Sequence, residues 1–304
     1  MWNCYTDTIN PYMDQNAFAD AFILQYLPAY AGYETTGCEL GSLIAGHLDG
    51  GTPYFDKFED NIAFIKNHQE CVSHTLDRWA FTSIPINPFY NLEDFVNHMI
   101  MDMVMQRVAE SRFVDENWSR DLVVGDYVEA RVCSDLKIRR ENVIRQAMIA
   151  EAQQNAQETP ESFDKTVDEF ISRRLDDLEG AYIAVPTLKD ALMHPLNNGQ
   201  PLFAKEKDNA DFIWDHYDEA AAAYDRWKLF SGDFFSPVGM PHLYVRAMVE
   251  NEVESRIADS MFAPEKNKDI EATLTPDVIH YMKKALVKQP VEVKEKKKEA
   301  GLGR

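Results

Sequence analysis

The sequence predicts a mainly α-helical protein, a multi-helix globular bundle, and two observations support this prediction. Apolar residues recur at spacings of three and four along most of the chain, which is the pattern of helices that bury one face. Of the 304 residues, 45% are hydrophobic, so the chain can bury enough apolar surface to offset its conformational entropy. Alternating runs typical of strands are rare, and at most one small β-hairpin is expected, near residues 121–132.

Caps and prolines set the bounds of the helices in the first half of the chain. Asp14 precedes a helical pattern that Pro28 ends. Asn91, with Asp94 three residues later, resembles a capping box. One long, uninterrupted helix is expected between these two, closed by the turn region around Pro85. The predicted helices are residues 14–28, 40–48, 55–81 and 91–113.

Residues 121–132 allow two interpretations. The pair Gly125-Asp126 favours a hairpin turn, with Val128 and Val132 on one face of the second strand. The same residues can form a helix, which we favour because a lone hairpin among helices has no sheet to join.

A linker divides the chain. Residues 157–162 combine polar side chains with Pro160, and they separate two predicted helical domains, 1–156 and 160–289. A single domain is the alternative, because the boundary rests on this linker alone. Residues 290–304 are rich in lysine and glutamate, so a charged, flexible and disordered tail is expected. No internal repeat and no sustained heptad is recognised.

Helices also dominate the second half of the chain. Residues 181–185 form a possible short strand between Gly180, which ends a helix, and Pro186. Thr275 followed by Pro276 is a typical helix start. The predicted helices are residues 138–156, 163–178, 208–230, 241–262 and 275–288.

The charge of the chain limits its partners. With 51 acidic against 31 basic residues, the formal net charge is −20. Such a surface repels a phosphate backbone, so nucleic acid is expected only at the basic segment 133–147 or at the lysine-rich tail. The sequence shows no secretion signal, no C-x-x-C pair and no apolar run near the ~20 residues that cross a bilayer. We expect a cytoplasmic protein with reduced thiols that contacts proteins and no membrane.

Four carboxylates on two predicted helices are candidate metal ligands. Asp211 and Asp215 share one face of their helix. Glu250 and Glu254 share one face of the next long helix. Clustered carboxylate oxygens suit Mg²⁺, which makes a magnesium-dependent, all-α hydrolase of phosphate compounds one hypothesis. The alternative is a solvated acidic stripe in an acidic protein, which needs no cofactor.

Residues 133–147 hold the basic patch of the body. Their apolar positions fall roughly where a helix-turn-helix places its buried residues, although Lys137 stands at the usual turn glycine. The alternative is a basic helix face that pairs with the acidic body. The candidate nucleic-acid-binding residues are Lys137, Arg139, Arg140 and Arg145.

Large aromatic residues cluster on the predicted helix 208–230. They anchor a protein partner if they are exposed, and they join helices if they are buried. We favour the core interpretation, because large aromatic side chains are mostly buried. The candidate interface residues are Trp214, Tyr217, Tyr224 and Trp227.

No motif in the sequence specifies a reaction. Phosphate-loop, nucleophile-elbow, zinc-protease and kinase patterns are absent, so no catalytic residue is assigned and enzyme activity stays open. The leading hypothesis is an acidic interaction or assembly protein that acts through protein–protein surfaces, such as a viral or mobile-element factor or a mimic of nucleic-acid charge. The alternatives are the magnesium-dependent hydrolase and a nucleic-acid-binding protein that uses residues 133–147.

Overall fold

The computed structural model describes residues 9–48, 50–79, 87–156, 159–231, 237–267 and 270–288. This part of the chain contains fourteen α-helices and four short β-strands, which confirms the predicted mainly α-helical fold. The predicted tail, residues 290–304, lies outside the described residues.

The elements follow one another with short connections. The helices are α1 (Gln15–Tyr26), α2 (Leu40–Ala45), α3 (Phe58–Asn67), α4 (Gln69–Trp79), α5 (Leu92–Ala109), α6 (Arg112–Glu116), α7 (Asp126–Asp135), α8 (Arg140–Asn155), α9 (Phe163–Asp177), α10 (Leu188–Asn197), α11 (Glu206–Asp215), α12 (Tyr217–Ser231), α13 (Pro241–Asp259) and α14 (Pro276–Leu286). The strands are β1 (Glu34–Thr36), β2 (Asp121–Val123), β3 (Tyr182–Ala184) and β4 (Glu271–Thr273).

Side-chain caps begin several helices where the sequence predicts them. Asp14 accepts hydrogen bonds from two backbone amides in the first turn of α1, each at 3.1 Å. Asn91 caps α5 at 3.1 Å, and Thr275 caps α14 at 3.4 Å. Ser162 caps α9, which begins at residue 163 as predicted.

The two long helices predicted for 55–81 and 208–230 are each two helices. The first is broken at His68, which has φ −127° and ψ 38° and separates α3 from α4. The second is broken at His216, between α11 and α12. The spacing of apolar residues does not reveal these breaks, because a single residue interrupts each helix and the apolar pattern continues on both sides of it.

Residues 121–132 do not form the alternative hairpin, and the favoured helical interpretation holds for residues 126–132, whereas residues 121–123 form a strand. β2 pairs antiparallel with β1, with Glu34 opposite Val123, and α7 follows β2 directly. β3 pairs with β4 in the same way, with Tyr182 opposite Thr273. Each strand therefore finds its partner far away in sequence, where alternation within one segment cannot reveal it.

The chain forms two compact units. The first contains the residues up to 158 together with 210–241, and the second contains 159–209 together with the residues from 242 onwards. The segment 210–241 thus belongs to the first unit, although it follows much of the second in sequence. The division into domains 1–156 and 160–289 stays a prediction.

The structure reveals an internal repeat that the sequence analysis does not recognise. The pattern Phe-x-Lys-x-x-Asp-Asn-x-x-Phe-Ile-x-x-His occurs at residues 55–68 and again at 203–216. Asp-Arg-Trp follows at 77–79 and again at 225–227. Apart from α6, which has no described counterpart, the same order of elements surrounds both copies: α1-β1-α2-α3-α4-α5-β2-α7 corresponds to α9-β3-α10-α11-α12-α13-β4-α14. We call residues 14–138 the first repeat and residues 162–288 the second repeat.

Hydrogen bonds repeat together with the elements. The side-chain amide of Asn61 donates to the carbonyl oxygens of Phe55 and Lys57, both at 2.9 Å. Asn209 makes the same two bonds at 2.8 Å, to the carbonyl oxygens of residues 203 and 205. The loop that leads into α3 is therefore shaped like the loop that leads into α11.

A glycine in the left-handed conformation precedes the first strand of each repeat. Gly32 has φ 91°, and its amide donates to the carbonyl oxygen of Val124 at 2.8 Å. Gly180 has φ 81° and donates to the carbonyl oxygen of Leu274, also at 2.8 Å. The same turn thus leads into β1 and into β3.

An ion pair is also duplicated, half-buried in the first repeat and buried in the second. Arg107 on α5 contacts Asp20 on α1 at 2.8 Å and donates to the carbonyl oxygen of Leu136 at 3.0 Å. Arg256 on α13 contacts Asp168 on α9 and donates to the carbonyl oxygen of residue 286 at 3.2 Å. In both repeats one arginine ties together the first helix, the long helix and the end of the last helix.

Acid is expected to destabilise the first unit through His68. Burial lowers the pKa of this imidazole, although its Nδ1 lies 2.8 Å from the carbonyl oxygen of Phe64. Below about pH 6.5, the ordinary histidine pKa, the unfolded chain therefore binds a proton more readily than the folded chain. The contribution of the neutral His68 side chain to the free energy of unfolding is complete above that pH, and it is lost as the pH falls through the lowered pKa of His68.

Urea unfolding at about pH 7.5 and about pH 5.5 measures this effect. His68→Gln is expected to show a smaller decrease in the free energy of unfolding between these values than the original protein. His74→Gln, at an exposed histidine of the same unit, is the control and is expected to keep the full decrease. An undiminished decrease in His68→Gln would show that the buried imidazole is not its cause.

Candidate functional site

Residues 133–147 form two helices joined by a tight turn. α7 ends at Asp135, and Lys137 has φ 56°, the only positive φ of a non-glycine residue in the described part of the chain. The amide of Ile138 donates to the carbonyl oxygen of Cys133 at 2.8 Å, and that of Lys137 to Ser134 at 3.2 Å. These two bonds are those of a Schellman turn, in which glycine usually takes the left-handed position. Lys137 therefore adopts the left-handed conformation that glycine usually takes at this position of the turn.

The turn is fixed to the rest of the first unit. Asp135 accepts a hydrogen bond from the backbone amide of Phe113 at 2.8 Å. Arg107 holds the carbonyl oxygen of Leu136. The helix α8 packs on α1 and buries Val143, Ala147 and Ala150. The orientation of α8 is thus set by contacts on its inner face.

The outer face of α8 carries large apolar side chains in solvent. Ile144 is 43% exposed, Met148 is 67% exposed and Ile149 is 42% exposed. Arg145 lies one turn before Met148 and Ile149, on the same outer side. The four predicted nucleic-acid-binding residues, Lys137, Arg139, Arg140 and Arg145, are all exposed around this surface. We call the exposed part of residues 137–149 the α8 surface.

Sequence reasoning missed the apolar part of the α8 surface. Helical spacing at 143, 147 and 150 predicts one buried face, and this face exists. The extra signal is that 144, 148 and 149 are apolar too, so the helix has more apolar positions than one face can bury.

The predicted interface aromatics lie mostly inside the first unit. Trp214 is fully buried and stacks on Phe89, with ring centroids 5.6 Å apart. The hydroxyl of Tyr217 donates to the carbonyl oxygen of Pro88 at 2.6 Å, and burial raises the pKa of Tyr217 to about 12. Tyr224 and Trp227 are half-buried. The core interpretation therefore applies to Trp214, because its buried side chain cannot contact a partner.

The four predicted metal ligands each have a basic or amide neighbour. Asp215 pairs with Lys66 at 2.6 Å, and Asp211 accepts a hydrogen bond from Gln69 at 2.9 Å. Both of these contacts lie within the first unit.

Within the second unit, Lys189 lies 3.2 Å from Glu250 and 3.5 Å from Glu254. Among the residues that the structure describes, no group of three or more His, Cys, Asp or Glu side chains could hold a metal ion. These contacts give the magnesium hypothesis no support, and it stays a hypothesis.

Comparison with protein-family models, with curated proteins and with solved structures finds no match to the chain. None of the helices in the described residues combines the length and the apolar character of a membrane-spanning segment.

Proposed function

We propose that this is an interaction protein that holds a helical, acidic segment of a protein partner on the α8 surface. The observation that carries the proposal is that α8, whose inner face is fixed by packing, exposes three large apolar side chains, Ile144, Met148 and Ile149. Because these side chains are already about half covered, completing their burial against a partner would contribute roughly 1 kcal/mol each, about half of the value for a fully exposed side chain. Methionine and arginine are enriched in protein interfaces, and the α8 surface combines both.

Charge indicates an acidic partner. The chain has a net charge of −20, yet the α8 surface exposes four basic residues, Lys137, Arg139, Arg140 and Arg145, against one acidic residue, Glu141. A second copy of the chain is a poorer occupant, because a symmetric contact would set the arginines of one copy against those of the other. A partner helix that carries Asp or Glu beside apolar residues at helical spacing would complement both the basic and the apolar side chains of the α8 surface.

Nucleic acid is the second candidate, and one observation favours it. The left-handed Lys137 gives residues 133–147 the turn of a helix-turn-helix, with arginines at the start of the second helix. Ile144, Met148 and Ile149 oppose this candidate, because phosphates and base edges are contacted mainly by polar groups. The exposed apolar residues of the α8 surface therefore favour a protein partner over nucleic acid.

The free thiols fit the predicted cytoplasmic location. Cys38, Cys71 and Cys133 form no disulfide in the described part of the chain. Burial raises the pKa of both Cys71 and Cys133 to about 11, which keeps these two thiols protonated and unreactive. A partner in the reducing cytoplasm is part of the proposal.

Three synthetic helical peptides test the proposal by fluorescence anisotropy. The first carries leucine on one face and glutamate elsewhere, the second replaces glutamate by lysine, and the third replaces leucine by serine. Only the leucine–glutamate peptide is expected to bind. Met148→Glu should weaken its binding at least about tenfold, because it puts a charge in the apolar centre. Met261→Glu, at a methionine that is 69% exposed in the second unit, is the matched control and should bind like the original protein.

Other outcomes would overturn the proposal. Equal binding of the lysine peptide would remove the charge argument, and equal binding of the serine peptide would remove the apolar one. A short DNA duplex whose binding falls when Arg139, Arg140 and Arg145 become alanine would favour the nucleic-acid candidate. A dimer in sedimentation equilibrium that Met148→Glu dissociates would favour self-association.

A further inference from the structure

We propose that the first repeat contains a second site, a cavity that binds a small organic cation, an ammonium group with apolar substituents. The cavity has a volume of about 400 Å³ and lies between the end of α1, the turn at residues 46–48 and the loop 52–57. This volume is within the range of small-ligand sites in proteins. The cavity shares no residue with the α8 surface, so the proposal does not depend on that surface.

Acidic side chains outnumber basic ones around the cavity. Asp56 and Asp60 line it together with one lysine, Lys57. Across the residues that the structure describes, neither carboxylate lies within ion-pair distance of a basic side chain. The negative charge at the rim is therefore not neutralised by the protein, and it attracts a cation and repels a phosphate or a carboxylate.

Two tyrosines give the cavity an aromatic wall. Tyr26 and Tyr54 both line it. The ring of Tyr26 is held by Phe22 and His47, with centroids 4.3 Å and 4.0 Å away, and the ring of Tyr54 packs edge-on against Phe55 at 5.0 Å. The electron-rich ring and the hydroxyl oxygen of a tyrosine both attract positive charge, and aromatic walls recognise alkylated ammonium groups in this way.

Apolar side chains define the rest of the ligand. Ile9, Leu48 and Pro53 complete the lining of the cavity. Methyl or methylene groups on the ammonium nitrogen would bury apolar area against them, which a hydrated metal ion cannot do. The lining thus favours a cation that is apolar around its charge.

The loop that closes the cavity is held from two sides. Oδ1 of Asn97 accepts a hydrogen bond from the amide of Tyr54 at 2.9 Å, and its Nδ2 donates to the carbonyl oxygen of Thr52 at 3.0 Å. Asn61 holds the carbonyl oxygens of Phe55 and Lys57 further along the same loop. Both asparagines are buried, so the shape of the loop is set before any ligand arrives.

The second repeat keeps the scaffold of this site and lacks most of its chemistry. Gly51, Pro53, Phe55 and Lys57 recur as Gly199, Pro201, Phe203 and Lys205. Of the two acids, Asp60 recurs as Asp208. The other residues that attract a cation do not recur: Tyr26, Tyr54 and Asp56 correspond to Arg174, Leu202 and Ala204.

One of these replacements is itself a cation. Arg174 donates to the carbonyl oxygen of Leu192 at 3.4 Å and pairs with Asp177 at 2.5 Å. The second repeat thus has a guanidinium group of its own where the first repeat has a tyrosine. The aromatic wall and the acidic rim belong to one copy of a duplicated fold, as expected for a site that only this copy uses.

Choline and 3,3-dimethyl-1-butanol test the site, because they have the same shape and only choline is charged. Isothermal titration calorimetry of the full chain, at matched ionic strength and at about pH 8, where an ordinary imidazole is neutral, should show one choline bound. Its dissociation constant should be about 1 mM or below. The uncharged alcohol should bind at least about fivefold more weakly.

Three substitutions separate the charge of the rim from the aromatic wall. Asp56→Asn should weaken choline binding about threefold, and Lys57→Met should strengthen it about threefold, because the two changes shift the charge in opposite directions. Neither should change the binding of the alcohol. Tyr54→Leu, which introduces the residue found at this position in the second repeat, should weaken choline binding about fivefold.

Two control variants keep the test decisive. Asp77→Asn changes the net charge as Asp56→Asn does, at an exposed carboxylate of the same unit that does not line the cavity, and Met148→Glu changes the α8 surface. Both should bind choline like the original protein. No saturable binding of choline, equal affinity for the alcohol, or equal effects of Asp56→Asn and Asp77→Asn would each overturn the proposal. Since Asp56 and Lys57 are exposed, their replacement leaves the core intact and a change in binding reports on the site.

Discussion

Replacement of Arg256 by methionine is expected to lower the free energy of unfolding by about 3–5 kcal/mol, the largest effect of any single change considered. The guanidinium group is buried and contacts Asp168 through Nη1, Glu252 at 2.7 Å and Asp164 at 2.9 Å. Asp168 is itself buried, so the methionine would leave a carboxylate without its counter-ion. Loss of the bond to the carbonyl oxygen of Leu286 would also release the end of α14.

Urea unfolding followed by circular dichroism measures this loss. Arg112→Met is the matched control, because the Arg112 side chain is 85% exposed and its nearest carboxylate is 3.7 Å away. The control should change the free energy of unfolding by less than about 0.5 kcal/mol. A double variant, Arg256→Met with Asp168→Leu, should recover part of the loss, because it removes the isolated charge. Equal effects of Arg256→Met and Arg112→Met would contradict the expectation.

Gly37→Ala is expected to cost about 3 kcal/mol, the second large effect. A methyl group at Gly37 would lie 2.4 Å from the carbonyl oxygen of Asn117 and 2.8 Å from that of Val114. Both are backbone atoms at the end of α6, which cannot move aside without displacing the helix. The second repeat has Val185 at the corresponding position, and no described helix there corresponds to α6.

Gly125→Ala is the control for this change. Gly125 has an extended φ of 179°, and a methyl group there would meet no atom within 4 Å. The control should change the free energy of unfolding by less than about 0.5 kcal/mol. Thermal unfolding of both variants checks the pair, and a Gly37→Ala protein as stable as the control would show that the end of α6 yields easily.

The helix starts are the part of the fold that the sequence predicts best. Asp14, Asn91 and Thr275 cap helices because their side chains reach orphan amides one turn away, and this depends on local sequence alone. The breaks at His68 and His216 escape prediction, because the apolar pattern continues across them.

The repeat is also not recognised from the sequence, for a different reason. Its identical residues include the buried Asn61 and Asn209 as well as the exposed Lys57 and Lys205. They are separated by positions that have diverged. The spacing between corresponding residues also grows along the repeat, so that no single offset aligns the whole of it.

The candidate sites, too, are only partly predictable from the sequence. The arginines of residues 137–145 are predictable, because basic residues cluster in one short segment of an acidic chain. The exposure of Ile144, Met148 and Ile149 is not predictable, because apolar residues at these positions could equally belong to a second buried face of α8. Only the structure shows that these side chains lie in solvent.

The placement of residues 210–241 has a consequence for biosynthesis. These residues complete the first unit, in which Trp214 stacks on Phe89. At about 5–20 residues per second, a ribosome needs roughly 4–17 s to translate from residue 159 to residue 241. During that interval the nascent first unit lacks one of its core tryptophans and exposes the apolar surface around Phe89. The newly made chain is therefore most vulnerable to aggregation, and most dependent on chaperones, while its second half is still being synthesised.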